Sequence, residues 1–183
     1  MIQDFIKKVG EFHDAFGVER GNVDVELRYK LFKEEFEEYK DAKTLVDKAD
    51  AIVDMLYIAC GTIVLHEYEY YNKWSEKDII PEAETLQIIR ENLSTYKNYK
   101  EFLVFEDIIL LCLDLAYINN ILDKLPQLFE EVHLSNLSKL DDNGKPIIND
   151  GILDPSKPIG KILKGKNYFE PRLKEILIEN GII

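Results

Sequence analysis

Apolar residues recur at three- and four-residue intervals from the start of the chain. Ile2, Phe5, Ile6, Val9 and Phe12 share one face of a helix that Phe16-Gly17-Val18 closes. After a loop at Arg20-Gly21-Asn22, a second helix is predicted from Asp24, its cap, to about Lys43. Thr44 opens a third, and Thr44 and Asp47 have the spacing of a capping box, with Asp in place of the usual Glu. This helix is predicted to reach Leu65, and its second half is apolar on every side, as suits a central element. A more polar stretch at 67–101 carries Tyr68, Tyr70, Tyr71 and Trp74, then a helix over Glu82 to Leu93. Phe102 to Leu125 reads as one strongly apolar helix, and Pro126 starts another that runs to about Leu137. From Asp141 the texture changes. Asp141-Asp142-Asn143-Gly144 is a turn, and 141–170 reads as an irregular arm with one short hairpin at most. A short helix is predicted over Arg172 to Ile178. The sum is an all-α helical bundle, a single domain over 1–183 whose last part, 141–183, is a loop-rich arm.

Composition narrows the class. A chain of 183 residues, 46% hydrophobic and 32% charged, has enough apolar material for one sizeable core. A net charge of -12 argues against binding long nucleic acid, where neutralising phosphates dominates affinity. It leaves room for a small anionic substrate that arrives with a divalent cation. Cys60 and Cys112 lie among apolar residues and read as buried free thiols, with no zinc spacing between them. The first ten residues lack the features of a signal peptide, and the apolar run Met55 to Leu65 is too short to span a bilayer. The expected location is the cytoplasm, with no membrane partner.

Acidic residues supply the candidate chemistry. On the second helix Glu38 lies about 40° around the axis from Glu34, and Glu35 about 100° from it, so all three share one side. The apolar arc of Leu27, Leu31, Phe32, Phe36 and Tyr39 includes the directions of Glu35 and Glu38. Charge within a core-facing stripe is costly unless paired or bound to metal. On the third helix Asp50 and Asp54 are the only acids from Ala49 to Leu65, and they stack four residues apart, with Asp47 about 20° from Asp54. Helices joined by a short turn are antiparallel neighbours, so the two acidic patches are expected to face each other. Oxygen donors without His or Cys suit Mg²⁺, with Mn²⁺ the other candidate, and a two-ion arrangement would serve phosphoryl transfer. Taken alone, Glu34-Glu35-Phe36-Glu37-Glu38 reads more readily as an ordinary solvated face than as a site, and Asp47 as only a cap. Asp50 and Asp54 tip the balance, because an all-apolar helix offers them no solvated side.

The pattern Glu34-Glu35-x-x-Glu38, followed by Asp50 and Asp54 running into Met-Leu-Tyr-Ile-Ala-Cys-Gly-Thr, resembles the all-α nucleoside triphosphate pyrophosphohydrolase superfamily. That group includes MazG-like enzymes, dimeric dUTPases, dCTP pyrophosphatases and phosphoribosyl-ATP pyrophosphohydrolases. Phe12-His13-Asp14-Ala15-Phe16-Gly17, then Glu131 to Leu140, then Gly144-Lys145-Pro146 and Lys164-Gly165-Lys166-Asn167-Tyr168, resemble its phosphoribosyl-ATP pyrophosphohydrolase-like branch. The resemblance implies Mg²⁺-dependent cleavage of a nucleoside triphosphate to the monophosphate and pyrophosphate, a housecleaning role, and a homodimer or higher homo-oligomer. It implies metal ligation by Glu35, Glu38 and the third-helix acids, with Glu34 orienting or deprotonating the attacking water. The second motif of the family reads either as Asp47-x-x-Asp50 or as the Asp50 and Asp54 pair. Relative to compact members, 68–118 reads as a helical insertion, and its apolar part should pack on the bundle or form an oligomer contact. Two other readings stand beside this one. One is the phosphoribosyl-ATP pyrophosphohydrolase of histidine biosynthesis; the other is a non-catalytic helical metal-binding or assembly module.

The arm is locally basic. Lys157, Lys161, Lys164, Lys166, Arg172 and Lys174 stand against one acid, Glu170, which reads either as an arm folded over the site toward phosphate or as an ordinary basic tail lying against an acidic bundle. With the resemblance, Asn136, Lys139 and Lys164 become the substrate-binding candidates, while His13 and Tyr168 are candidates for the base or sugar. His66 and His133 read as structural histidines with satisfied ring nitrogens.

Overall fold

The computed structural model describes residues 1–156 and 162–183. Among the described residues the chain forms seven α-helices: α1 (Ile2–Ala15), α2 (Val25–Asp41), α3 (Leu45–Leu65), α4 (Glu82–Tyr99), α5 (Val104–Ile118), α6 (Leu125–Leu137) and α7 (Leu173–Glu179). Among the described residues, β pairing is confined to two isolated antiparallel bridges, Leu140 with Pro146 and Ile148 with Ile162. The predicted all-α architecture is present, and the described part of the arm pairs only through these isolated bridges. Lys157 and Lys161 lie outside the described residues.

Helix α3 is the axis of the molecule. Its residues from Ala49 onward are almost all buried, and α1, α2, α5, α6 and α7 pack around it. Its start is the capping box predicted: the Asp47 N–H donates to Thr44 Oγ1 at 3.1 Å, and the Thr44 N–H donates to Asp47 Oδ2 at 3.0 Å. Asp24 caps α2 by accepting from the Leu27 N–H at 3.0 Å.

The stretch from Phe102 to Leu125 is not one helix. Helix α5 stops at Ile118, Asn120 takes a left-handed φ of 57°, and a short 3-10 turn over Leu122–Lys124 leads into α6. The apolar pattern carries across the break, but Asn is the residue that most readily adopts that φ outside glycine. Asn119 bonds back to the Leu115 carbonyl at 2.8 Å and donates to Tyr39 Oη at 2.9 Å. In the other direction, α4 runs past the predicted end at Leu93 to Tyr99, where Lys100, with φ 57°, terminates it. The apolar face of α5 (Phe105, Ile108, Ile109, Cys112) is buried in the common core, so this segment does pack on the bundle. No helix among the described residues is long and apolar enough to cross a membrane.

The α2–α3 register is set by one side chain. Arg28 Nε donates to Thr62 Oγ1 at 3.1 Å, and Nη2 donates to the Ile58 carbonyl. Gly61 makes this possible, since a Cβ there would lie 2.9 Å from Arg28 Nη2 and 3.3 Å from the His13 ring. Gly61→Ala is therefore expected to lose about 1–3 kcal/mol by overpacking. Chemical denaturation checks this, and an unchanged midpoint would mean that Arg28 moves aside at no cost.

Candidate active site

With Arg28 opposite Ile58 and Thr62, antiparallel packing sets the residues two turns further along α2 against the earlier turns of α3. Glu35 thereby faces Asp54, and Glu38 faces Asp50. Burial pushes the Glu35 carboxyl up to about 8, and the charges of Asp54, Glu38, Glu34 and Asp50 add to that shift. Burial raises Asp54 to about 7; Asp50 and Glu38 add to this, and the Lys139 ammonium opposes it. Asp50 is raised by burial and then by Glu38, Asp47 and Glu170. Four acids from two helices thus share one electrostatic environment in which their own repulsion is incompletely offset.

Their exposure is graded. Glu35, Asp50 and Asp54 are half-buried, whereas Glu34 and Glu38 are exposed. Glu38 thus stands at the rim of the seam rather than within the core-facing stripe where the sequence pattern put it. Asp47 is exposed and spends one carboxylate oxygen on the α3 cap, and its hydrogen bonds with Thr44 hold its carboxyl below the usual carboxylate range.

Residues from the far end of the chain reach the same place. Lys139, just past α6, donates to Asn136 Oδ1 at 2.5 Å while its charge reaches Asp54. Asn136 also reaches the buried Tyr57 hydroxyl, which pairs with His133 Nδ1 at 3.0 Å. The arm is pinned across the end of α6: Ser135 Oγ donates to the Phe169 carbonyl at 2.8 Å, and the Phe169 N–H donates to Ser138 Oγ at 3.2 Å. Tyr168 is half-buried, and the exposed Lys164 places its ammonium 4.2 Å from the Tyr168 ring centre and 3.7 Å from Glu170. The structure therefore gathers Asn136, Lys139, Lys164 and Tyr168 toward the acids. Arg172 does not join them. Its guanidinium grips Glu131 through Nε at 3.0 Å, and its N–H donates to the same carboxylate at 3.1 Å, docking α7. Lys166 is held by Asp142.

His13 is buried and sits over Gly61 beside Arg28, about 10 Å along α3 from Asp54 by helical rise. Burial and the Arg28 charge lower it to about 4, so it is a neutral imidazole. His133 is a satisfied structural histidine as predicted. His66 is not fully satisfied: it stacks on Phe102 at 4.1 Å, but its buried Nε2 has no partner. Three contributors were missed by sequence reasoning: Arg28, Tyr57 and Glu170. Arg28 had one available signal, its place seven residues before Glu35 on the same helical face.

The donor set fits a hard divalent cation. It is all carboxylate oxygen, it is short of positive charge, and raised acid pKa values mark the anionic form as underserved. Among the described residues, no three His, Cys, Asp or Glu side chains close on one point tightly enough to hold an ion as they stand.

The all-α architecture is consistent with the fold of the MazG-like all-α pyrophosphohydrolases, whose members act on phosphoric anhydrides and generally depend on a divalent metal. Residues 4–76, which hold most of α1, all of α2 and α3, and Glu34, Glu35, Glu38, Asp47, Asp50 and Asp54, match the family described as phosphoribosyl-ATP pyrophosphohydrolase. The match ends before α4. No curated protein and no solved structure matched the chain.

Proposed function

We propose that the protein is a Mg²⁺-dependent nucleoside triphosphate pyrophosphohydrolase that converts (d)NTPs to (d)NMPs and pyrophosphate in the cytoplasm, as a homo-oligomer that clears unwanted nucleotides. The observation that carries this is the cluster of Glu35, Glu38, Asp50 and Asp54, in which burial and neighbouring carboxylates raise the pKa of Glu35, Asp50 and Asp54 and so call for a divalent counter-charge. Those four residues, with the second oxygen of Asp47 nearby, would hold the ion. Bound there, it would neutralise phosphate charge and lower the pKa of water.

The chain's own groups supply the rest. The water oxygen bonds to phosphorus at the α–β anhydride, the bridging P–O bond breaks, and pyrophosphate leaves with the electron pair. Glu34, exposed at the edge of the cluster, takes the water proton. Lys139 and Lys164 stabilise charge that develops on the departing pyrophosphate. Asn136 orients Lys139 through its 2.5 Å hydrogen bond, and Tyr168 offers a ring face beside Lys164.

The family description favours a second substrate, phosphoribosyl-ATP, through the same bond cleavage. Pyrophosphate release separates the readings when measured with (d)NTPs and phosphoribosyl-ATP in Mg²⁺, in Mn²⁺ and in EDTA. Turnover of (d)NTPs that EDTA abolishes is expected. Turnover of phosphoribosyl-ATP alone would shift the assignment to histidine biosynthesis, and no release from any substrate would leave a non-catalytic module.

A further inference from the structure

The molecule contains a second polar cluster, of opposite sign, two turns along α2 from Glu35. At its centre is the Arg28 guanidinium. Among the described residues no carboxylate pairs with it, and no acceptor takes a hydrogen bond from its Nη1, although the chain carries a net charge of -12. Around it stand side chains with unmet hydrogen-bonding capacity. His13 is 3% exposed and its Nδ1 has no partner, while Tyr96 is 0% exposed and its hydroxyl has none. Both feel the Arg28 charge, and so does His66, whose Nε2 is likewise buried and unpartnered. The acid whose charge reaches Tyr96 is Asp24, which is exposed and occupied by the Leu27 N–H. Buried polar groups are almost always satisfied, so several orphans around one unpaired cation indicate a missing partner.

We propose that Arg28, His13 and Tyr96 form a subsite for an oxyanion of the phosphate type, separate from the carboxylate cluster. An oxyanion supplies what this set lacks: negative charge for the guanidinium, and acceptor oxygens for the hydroxyl and an imidazole N–H. It lies about 10 Å from Glu35 along the shared face of α2. The occupant is therefore either a free phosphate ion or an anionic group at the non-reacting end of a substrate held by the acids. The free-ion case requires no catalysis and is independent of the proposed reaction.

Titration calorimetry of inorganic phosphate into the full-length chain in EDTA tests this. A dissociation constant of about 1 mM is expected for a small site of this kind. Arg28→Gln should weaken it tenfold or more. Because Arg28 also joins α2 to α3, the decisive variant is Tyr96→Phe, which removes a hydroxyl with no partner in the structure. Tyr96→Phe should keep or raise the melting temperature without phosphate and weaken phosphate binding at least threefold. If phosphate alone does not bind, but Tyr96→Phe raises KM for a nucleotide threefold or more at constant kcat, the substrate's remote group is the occupant. Phosphate affinity equal in Tyr96→Phe and wild type overturns the proposal. So does the absence of both phosphate binding and a KM effect.

Discussion

Asp54→Asn, Asp50→Asn and Glu38→Gln are each expected to lower kcat/KM for pyrophosphate release by at least 100-fold, about 2.7 kcal/mol of transition-state stabilisation, while helicity by circular dichroism stays unchanged. Each substitution keeps the side chain's size and removes one anionic donor from a cluster that works as a unit. The effects should therefore be strongly non-additive: the Asp50→Asn, Asp54→Asn double variant should be scarcely slower than either single one. Asp47→Asn is the informative contrast. Its carboxylate accepts the Thr44 N–H, and an amide oxygen still accepts there, so the α3 cap survives. A loss below tenfold would make Asp47 a cap residue. A loss matching Asp50→Asn would make it a metal ligand and would favour the Asp47-x-x-Asp50 reading of the second motif. Turnover retained in both Glu38→Gln and Asp50→Asn would remove the active-site assignment altogether.

The acid cluster was legible because it broke a strong local rule. Asp50 and Asp54 interrupt an otherwise apolar helix, and a short link at 42–44 forces α2 back along α3, so two intrahelical facts imply a tertiary one. The capping box at Thr44 was legible for the same reason, being local chemistry at fixed spacing. The break at Asn119–Asn120 was not, because its apolar neighbours continue the helical period while the backbone turn depends on one left-handed residue and a bond to Tyr39. Arg28, despite sharing a helical face with Glu35, was missed for a deeper reason. By sequence it is one of several cations on a polar helix, like Lys30 and Lys33. Its burial against Ile58 and Thr62 exists only once α3 lies beside it and Gly61 leaves the space. The arm was half legible: its position beside the acids follows from Ser135, Ser138 and Phe169, whereas Arg172 turned out to serve Glu131.

Metal-free protein should lose stability as pH rises from 7 to 8.5, and Glu35→Gln should largely abolish that loss. Glu35 shifts from 4.5 to about 8 on folding, and Asp54 from 3.8 to about 7. Between the unfolded and folded values the native state holds more protons than the unfolded chain, so stability falls as pH increases. The contribution is intact below about pH 4 and is lost by about pH 8. His13 runs the opposite way. Lowered from 6.5 to about 4, it costs stability only as pH falls through that range, so work above pH 7 isolates the carboxylates. At pH 8.5 in EDTA, Glu35→Gln should be more stable than wild type by about 1–3 kcal/mol, the order expected for relieving a half-buried charge among like charges. Mg²⁺ should reverse the ranking, because it binds the ionised cluster and stabilises only the folded state. The Mg²⁺-induced rise in melting temperature should thus be larger at pH 8.5 than at pH 6.5, where protons compete for the same oxygens, and small in Glu35→Gln at both. A wild-type melting temperature flat from pH 7 to 8.5 in EDTA, with equal Mg²⁺ shifts in wild type and Glu35→Gln, would show that Glu35 and Asp54 do not share one ion-binding environment. In that event the chemistry would have to be sought elsewhere in the bundle.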